Sequence, residues 1–262
     1  MSQYPDCSGK VALVTGAAGG IGAAVANALA AEGAQVAAVD RDADPLELLV
    51  KAAHSESRTI TAYPLDITDR NGVGATVERI ERELGPVSML VNAAGVLHPS
   101  DTLSTTDTAW DSTIAVNATG VFGISRAVAG RMVSRRDGAI VTVASNAAGV
   151  PRSGMAAYAA SKAAATAFTR CLGLELAKYG IRCNVVAPGS TDTPMFHGLF
   201  SVADPVAKAI AGDPATYRVG IPLGRIAEPS DVADTILFLL SKRARHITMQ
   251  TVYVDGGAAL GG

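Results

Sequence analysis

The sequence has few cysteines, few histidines and little net charge. Its three cysteines, Cys7, Cys171 and Cys183, are isolated, and neither they nor the four histidines show metal-ligand or disulfide spacing. The sequence therefore predicts no metal site. Basic and acidic residues nearly balance, which leaves a formal net charge of −2 at pH 7. A nucleic-acid or membrane partner is not expected on electrostatic grounds.

Long apolar runs are also absent. No stretch reaches the ~18 uninterrupted apolar residues of a transmembrane helix, and residues 1–6 lack the basic start and apolar core of a signal peptide. We therefore expect a cytoplasmic protein. Charged residues make up only 18% of the chain, against a usual share of ~25%. This apolar composition predicts that some helices bury a face against another subunit.

Short β-branched runs alternate with longer alanine-rich stretches, which predicts βαβ units around a parallel sheet in one α/β domain over residues 1–262. We predict strands at Val11–Thr15, Gln35–Asp40, Ile60–Leu65, Met89–Asn92, Ala139–Ala144, Arg182–Val186 and Thr251–Val254. We predict helices near Ile21–Glu32, Leu46–Glu56, Ala75–Leu84, Trp110–Arg136, Tyr158–Lys178 and Ser230–Leu240. The irregular, proline-containing stretch from 189 to 224, called the lid segment below, is expected to cover a substrate.

The first predicted strand runs directly into a glycine-rich turn, Gly16-Ala17-Ala18-Gly19-Gly20-Ile21-Gly22. Glycines at Gly16, Gly20 and Gly22 let the backbone turn tightly and approach a pyrophosphate at a helix N-terminus. The second predicted strand then ends at Asp40, whose carboxylate can accept both ribose hydroxyls of an adenosine. The same charge would repel a 2′-phosphate, so the sequence predicts NAD rather than NADP. Arg41 follows directly and would partly oppose this preference.

Two further strands end in small or polar residues. Asp66-Ile67 follows the third strand, where a carboxylate could meet the adenine amino group. Asn92-Ala93-Ala94-Gly95 ends the fourth, where small residues let a cofactor lie against the backbone. Ligands of open α/β sheets bind beyond the carboxyl ends of the strands, so these residues extend the predicted dinucleotide site.

A tyrosine and a lysine, Tyr158 and Lys162, lie four residues apart in a predicted helix and so share one face. Tyrosine has an unperturbed pKa of about 10, but a positive charge at roughly 4 Å favours the phenolate by a few kcal/mol. The pair therefore predicts a base that deprotonates a hydroxyl while its carbon loses hydride. Ser145, at the end of an apolar strand, lies upstream.

Candidate substrate contacts lie near this pair. Arg152, in a predicted loop between Ser145 and Tyr158, can bind a carboxylate in bidentate fashion; a solvated loop arginine is the alternative. Apolar residues of the lid segment either cover a substrate ring or form lid core or subunit interface: Met195, Phe196, Leu199 and Phe200. Among the histidines only His98, after Gly95, is a candidate for substrate contact.

These residues together resemble the short-chain dehydrogenase/reductase family over nearly the whole chain. The markers are Thr15-Gly16-x-x-x-Gly20-x-Gly22, Asn92-Ala93-Ala94-Gly95, Asn117, Ser145, Tyr158-x-x-x-Lys162 and Pro188-Gly189. The resemblance implies a Rossmann-like, doubly wound sheet of order 3-2-1-4-5-6-7 and a homotetramer. It implies Tyr158 as acid/base, Ser145 as partner of the substrate oxygen, and Lys162 as the group that lowers the Tyr158 pKa and binds the nicotinamide ribose. Asn117 would kink its helix and hold a water in a proton relay. Pro188, Gly189, Thr191 and Thr193 would bind NAD.

A narrower resemblance, over 138–145, 151–155, 189–193, 220–224 and the tail from His246 to Gly257, is to family members that oxidise a dihydroxycyclohexadiene carboxylate to a catechol acid for siderophores. Met155, which lies in this resemblance, and Met195 of the lid segment are further predicted substrate contacts. Loss of hydride from C3 gives a ketone that tautomerises to the catechol. Three alternatives remain: an amino-bearing diene such as 2,3-dihydro-3-hydroxyanthranilate, a non-catalytic NAD-binding regulator, and a ketoacyl or steroid reductase. Asp40 disfavours the last, because reductive enzymes more often use NADP.

Overall fold

A computed structural model describes residues 3–199 and 204–261 of the chain. Seven strands form one sheet in the order β3-β2-β1-β4-β5-β6-β7, and every neighbouring pair is parallel. Their bounds are β1 Val11–Thr15, β2 Gln35–Asp40, β3 Ile60–Pro64, β4 Val87–Asn92, β5 Ala139–Val143, β6 Arg182–Pro188 and β7 Thr251–Val254. The predicted fold class and strand order are confirmed.

Nine helices of four or more residues lie in the described part of the chain, besides 3-10 and π turns. Their bounds are α1 Gly20–Ala31, α2 Ala43–Ser55, α3 Arg70–Leu84, α4 Asp107–Ile114, α5 Val121–Arg135, α6 Ala156–Leu176, α7 Pro194–His197, α8 Pro205–Ala211 and α9 Pro229–Leu240. None of the described helices is long and apolar enough to cross a membrane.

Helices cover both faces of the sheet, so central strands are buried on both sides. In β1, Val14 belongs to an apolar cluster with Leu29 of α1 and Ile236 of α9, whereas Leu13 belongs to a second cluster with Ile124 of α5. All five β1 residues are buried. This two-sided burial explains why the strand reads as a continuous apolar run rather than an alternating one.

The predicted helix over Trp110–Arg136 is wrong as a single element. A π-helical turn at Ala115–Gly120 separates α4 from α5. The buried side chain of Asn117 lies in this turn and hydrogen-bonds outside its own helix, which stabilises the irregularity. The lid segment is less irregular than expected, because it includes α7 and α8.

Candidate active site

One large cavity, of about 420 Å³, lies beyond the carboxyl ends of the strands. The glycine-rich turn, the ends of β2 to β6 and the lid segment all contribute to its wall. Of the predicted site residues, it is lined by Gly16, Gly20, Ile21, Gly22, Asp40, Arg41, Asp66, Ile67, Ala93, Gly95, Ser145, Arg152, Met155, Tyr158, Lys162, Pro188, Gly189, Thr191, Thr193 and Met195. Ligands of doubly wound folds bind at this edge.

The glycine-rich turn is packed so closely that it has no room for a side chain at its end. A β-carbon on Gly22 would lie 2.0 Å from the carbonyl oxygen of Gly16. Gly16 itself has a φ of +67°, in the left-handed region that glycine tolerates best. The turn therefore leaves its backbone open to the cavity at the start of α1. This arrangement fits the pyrophosphate of a dinucleotide.

Asp40 is hydrogen-bonded to this turn. Its Oδ2 accepts a hydrogen bond from the backbone N–H of Ala18 at 3.0 Å, and its Oδ1 accepts one from Asp42 at 3.1 Å. The carboxylate is thus held at the carboxyl end of β2, facing the cavity. Arg41 forms an exposed ion pair with Asp42 rather than with Asp40. Its Nε lies 3.6 Å from Oδ1 of Asp42.

Asp66 follows β3 and is held in its ionised form. Its Oδ1 accepts hydrogen bonds from the backbone N–H of Thr68 at 2.9 Å and from the Thr68 hydroxyl at 2.8 Å. The backbone hydrogen bond is the main cause that lowers the pKa of Asp66. Asp66 is therefore a hydrogen-bond acceptor at this end of the cavity.

Asn92 does not line the cavity, although the sequence places it among the cofactor contacts. Its Nδ2 donates to the hydroxyls of Ser125 at 2.9 Å and Thr142 at 3.1 Å in the core. The N–H groups of Ala93 and Ala94 instead donate to Oγ1 of Thr15, at 3.2 and 3.3 Å. Asn92 therefore links the end of β4 to α5 and β5 inside the core.

Tyr158, Ser145 and Lys162 meet at the cavity wall. The Tyr158 phenol is hydrogen-bonded to Ser145, and the Lys162 Nζ lies 5.7 Å from the centre of the Tyr158 ring. Ser145 follows β5, and its Oγ also accepts a hydrogen bond from Ala147 at 3.2 Å. Two elements, the end of β5 and the first turns of α6, thus bring these three side chains together.

Burial controls the charge states of this group. It raises the pKa of Tyr158, while the hydrogen bond from Ser145 acts in the opposite direction. Burial also lowers the pKa of Lys162 to about 8. At Tyr158, desolvation therefore outweighs the hydrogen bond from Ser145. The expected lowering of the Tyr158 pKa by Lys162 stays a prediction for the cofactor-bound state.

Asn117 connects the wall of the cavity to α6, the helix that carries Tyr158 and Lys162. Its Oδ1 accepts from the N–H of Val96 at 2.8 Å, and its Nδ2 donates to the Val96 carbonyl at 2.9 Å and to Ser161 Oγ at 3.0 Å. Asn117 is fully buried and does not itself line the cavity. It therefore fixes the position of α6, and its water relay stays a prediction.

The substrate end of the cavity lies between the loop after β5 and the lid segment. Arg152 is half-buried there, and its Nη2 donates to the carbonyl oxygen of Ala258 at 3.1 Å. Met155, Met195, Phe196 and Leu199 line the same region, whereas Phe200 is outside the described residues. His98 is exposed and is not part of the wall; its neighbour Leu97 is.

Sequence reasoning missed two polar residues of this region, Arg218 and Asn146. Asn146 Nδ2 donates to Oδ2 of the buried Asp255 at 3.1 Å. Its position directly after Ser145 was an available signal. Arg218 comes from the lid segment, and nothing in the local sequence pattern singles it out.

Comparisons with known proteins agree with this geometry. The family described as short chain dehydrogenase matches residues 10–203. The chain is 53% identical over 253 residues to the 2,3-dihydro-2,3-dihydroxybenzoate dehydrogenase of Bacillus subtilis, covering 97% of each chain. It is 42% identical to the vibriobactin-specific 2,3-dihydro-2,3-dihydroxybenzoate dehydrogenase of Vibrio cholerae, covering 99% of each. A crystal structure of a candidate gluconate dehydrogenase from Agrobacterium tumefaciens superposes with a TM-score of 0.90 at 28% identity, over 98% of each chain.

Proposed function

The chain belongs to the short-chain dehydrogenase/reductase family, and from that premise we propose that it oxidises 2,3-dihydro-2,3-dihydroxybenzoate to 2,3-dihydroxybenzoate with NAD. The observation that carries this proposal is the meeting of Tyr158, Ser145 and Lys162 at one cavity with the glycine-rich turn and Asp40. The high identity to the Bacillus subtilis enzyme supports the substrate.

Cofactor binding is assigned to the residues that line the strand-end half of the cavity. Gly16, Gly20 and Gly22 would accommodate the pyrophosphate, and Asp40 would accept the hydroxyls of the adenosine ribose. Because the fixed Asp40 carboxylate would repel a 2′-phosphate, NAD is favoured over NADP. The bound nicotinamide ring would supply the hydride acceptor.

Each residue of the catalytic group has a proposed role in the reaction. Tyr158, as phenolate, takes the proton of the C3 hydroxyl while C3 loses hydride and becomes a ketone carbon. Ser145 donates a hydrogen bond to the substrate oxygen. The ketone then loses its C2 proton and tautomerises to the catechol, and the gain of aromaticity makes the oxidation strongly downhill. Lys162 keeps a positive charge beside the phenol and binds the nicotinamide ribose.

The substrate contacts, the lid and the assembly of the protein are also part of this proposal. Arg152 would bind the substrate carboxylate, and Met155 and Met195 would contact the ring. The lid segment would close over it. We further propose a cytoplasmic homotetramer that acts in siderophore synthesis, as the vibriobactin-specific relative suggests.

The proposal is tested by incubating purified protein with NAD and each candidate diene, and identifying the products. We expect rapid NADH formation with 2,3-dihydro-2,3-dihydroxybenzoate and recovery of 2,3-dihydroxybenzoate. A higher kcat/KM with the amino-bearing diene would change the assigned substrate but leave the assigned type of reaction, oxidation of a cyclohexadiene alcohol, unchanged. No NADH with either compound would contradict the proposed function.

A further inference from the structure

The charged residues that line the cavity form two groups, and Arg41 lies with the carboxylates of the first group. The carboxylates of Asp40, Asp42 and Asp66 line the part beyond β2 and β3. The cations on the opposite side, beyond β5 and in the lid segment, are Arg152, Lys162 and Arg218. Lys162 belongs to the catalytic group. The two arginines remain, and their side of the cavity suits an anion.

Arg218 is presented by a small loop with a fixed backbone. The N–H groups of Asp213 and Arg218 each donate to the other's carbonyl oxygen at 2.9 Å. At the end of the loop the N–H of Ile221 donates to the carbonyl of Ile210 at 3.0 Å. A β-carbon on Gly220, whose φ is +81°, would lie 2.4 Å from that same carbonyl oxygen. The backbone of this loop is therefore closed and tightly packed.

Arg152 and Arg218 are both connected to one small apolar cluster. This cluster consists of Phe196, Ala209, Ile221 and Ala258. Ala258 provides the carbonyl that accepts from Arg152, and Ile221 follows the Arg218 loop. Both arginines line the same cavity. Burial lowers the pKa of Arg152, and the charge of Arg218 lowers it further.

No acidic side chain in the described residues forms an ion pair with either arginine. The carboxylate of Asp255 is the one whose charge acts on Arg152. This carboxylate, however, already accepts hydrogen bonds from Asn146 at 3.1 Å and from the N–H of Gly257 at 3.0 Å. Two half-buried cations thus repel each other at the cavity wall, a cost that a bound carboxylate would remove.

We propose that Arg218 binds the substrate carboxylate together with Arg152, so that the two guanidinium groups select carboxylated rings over neutral ones. This inference rests on the proposed function, since it concerns the same cavity and substrate. A guanidinium is suited to the role, because its planar donors match the two oxygens of a carboxylate. The tight loop fixes where the Arg218 side chain starts.

The test compares the binding of 2,3-dihydroxybenzoate, an anion, with that of catechol, its neutral counterpart, to the NADH-saturated protein by calorimetry. We expect Arg218→Gln to weaken the binding of 2,3-dihydroxybenzoate about tenfold or more and to leave the binding of catechol unchanged. Arg218→Lys, which keeps the charge but loses the planar donors, should fall between. Lys208→Gln is the matched control, since Lys208 lies exposed on α8 of the same segment and outside the cavity wall.

Equal affinity of the unaltered protein for both compounds would overturn the inference. So would an Arg218→Gln variant with unchanged affinity for 2,3-dihydroxybenzoate, or one whose affinity for catechol falls by the same factor. The ratio of the affinity for 2,3-dihydroxybenzoate to that for catechol, called the binding ratio, does not depend on turnover. A protein that cannot oxidise the diene but keeps the arginine-dependent ratio would refute the proposed function alone. A protein that oxidises the diene but lacks the ratio would refute the role of Arg218 alone.

Discussion

Lys162 donates a hydrogen bond from Nζ to the carbonyl oxygen of Val143 at 2.8 Å. This bond links α6, which presents Tyr158, to the strand that ends two residues before Ser145. Lys162 is 4% exposed, so the carbonyl oxygen compensates part of the cost of burying its ammonium group. The same bond therefore influences both the position of α6 against β5 and the charge state of Lys162.

Replacing Tyr158 by phenylalanine should stop catalysis without disturbing the cavity. The change removes one hydroxyl, the proposed base, and keeps the ring. We expect kcat to fall by about 10³-fold or more, near the upper range for a general acid–base residue. The NADH affinity, measured by fluorescence titration, should change less than about twofold, since the proposed pyrophosphate and ribose contacts lie elsewhere. Retained turnover would remove Tyr158 from this role.

Replacing Ser145 by alanine should move the pH profile as well as the rate. The Ser145 hydrogen bond lowers the pKa of Tyr158, so its loss leaves burial unopposed and raises that pKa. The phenolate then forms only at higher pH. We expect the alkaline rise of kcat/KM to shift to higher pH and kcat to fall roughly 10–100-fold. A shift to lower pH would contradict the assigned hydrogen bond.

The buried Lys162 should also make stability depend on pH. Its pKa is about 8 in the folded chain and 10.5 as the reference for the unfolded chain. Between these values the unfolded state binds more protons, so the free energy of unfolding rises with pH. The whole effect is on the order of 3 kcal/mol.

Lys162→Met should lack this rise. Urea unfolding of both proteins at several pH values between 7 and 11 measures the difference. We expect the free energy of unfolding of the variant, relative to that of the unaltered chain, to be highest at the lower end of this pH range. Parallel stability curves for the two proteins would show that the ammonium carries no desolvation cost.

Asp40→Asn isolates the charge that is proposed to select NAD. An asparagine Oδ1 can still accept from the Ala18 N–H, so the turn should keep its shape. Loss of the negative charge removes the repulsion of a 2′-phosphate. We expect the ratio of kcat/KM for NAD to that for NADP to fall at least about tenfold. An unchanged ratio would mean that Asp40 does not discriminate the cofactors.

A methyl group at Gly22 should block the proposed cofactor site. Its β-carbon would lie 2.0 Å from the Gly16 carbonyl oxygen, so the turn must shift. We expect Gly22→Ala to weaken NADH binding more than about 100-fold. Gly130→Ala is the matched control: it lies exposed in α5 with no atom near its new β-carbon and should stabilise the helix by up to ~1 kcal/mol. Equal NADH affinity in both variants would refute the proposed turn.

The sequence predicts most of the sheet and the cofactor half of the cavity because the signals there are local. Val11–Thr15, the following glycines and Asp40 each lie next to the strand end that presents them. Tyr158 and Lys162 are likewise fixed by one helix. Parallel strands bring all their carboxyl ends to one edge, so local motifs on different strands meet without further information.

Other features depend on contacts that no local pattern encodes. The break in the predicted helix over Trp110–Arg136 accompanies the bonds of Asn117 to Val96 and Ser161, which are distant in sequence. Asn92 turns away from the cavity because two hydroxyls from α5 and β5 hold it. Arg218 reaches the cavity only through the folding of the lid segment.

In the proposed reaction, Tyr158 deprotonates the C3 hydroxyl while C3 transfers hydride to NAD. The most direct test uses 2,3-dihydro-2,3-dihydroxybenzoate that carries deuterium at C3, with NAD and the purified protein. We expect the deuterium in the reduced nicotinamide, with 2,3-dihydroxybenzoate as product. Oxidation at C2 would instead release the C3 deuterium to water when the ring aromatises. Deuterium in the solvent, or no reduced nicotinamide at all, would contradict the claim.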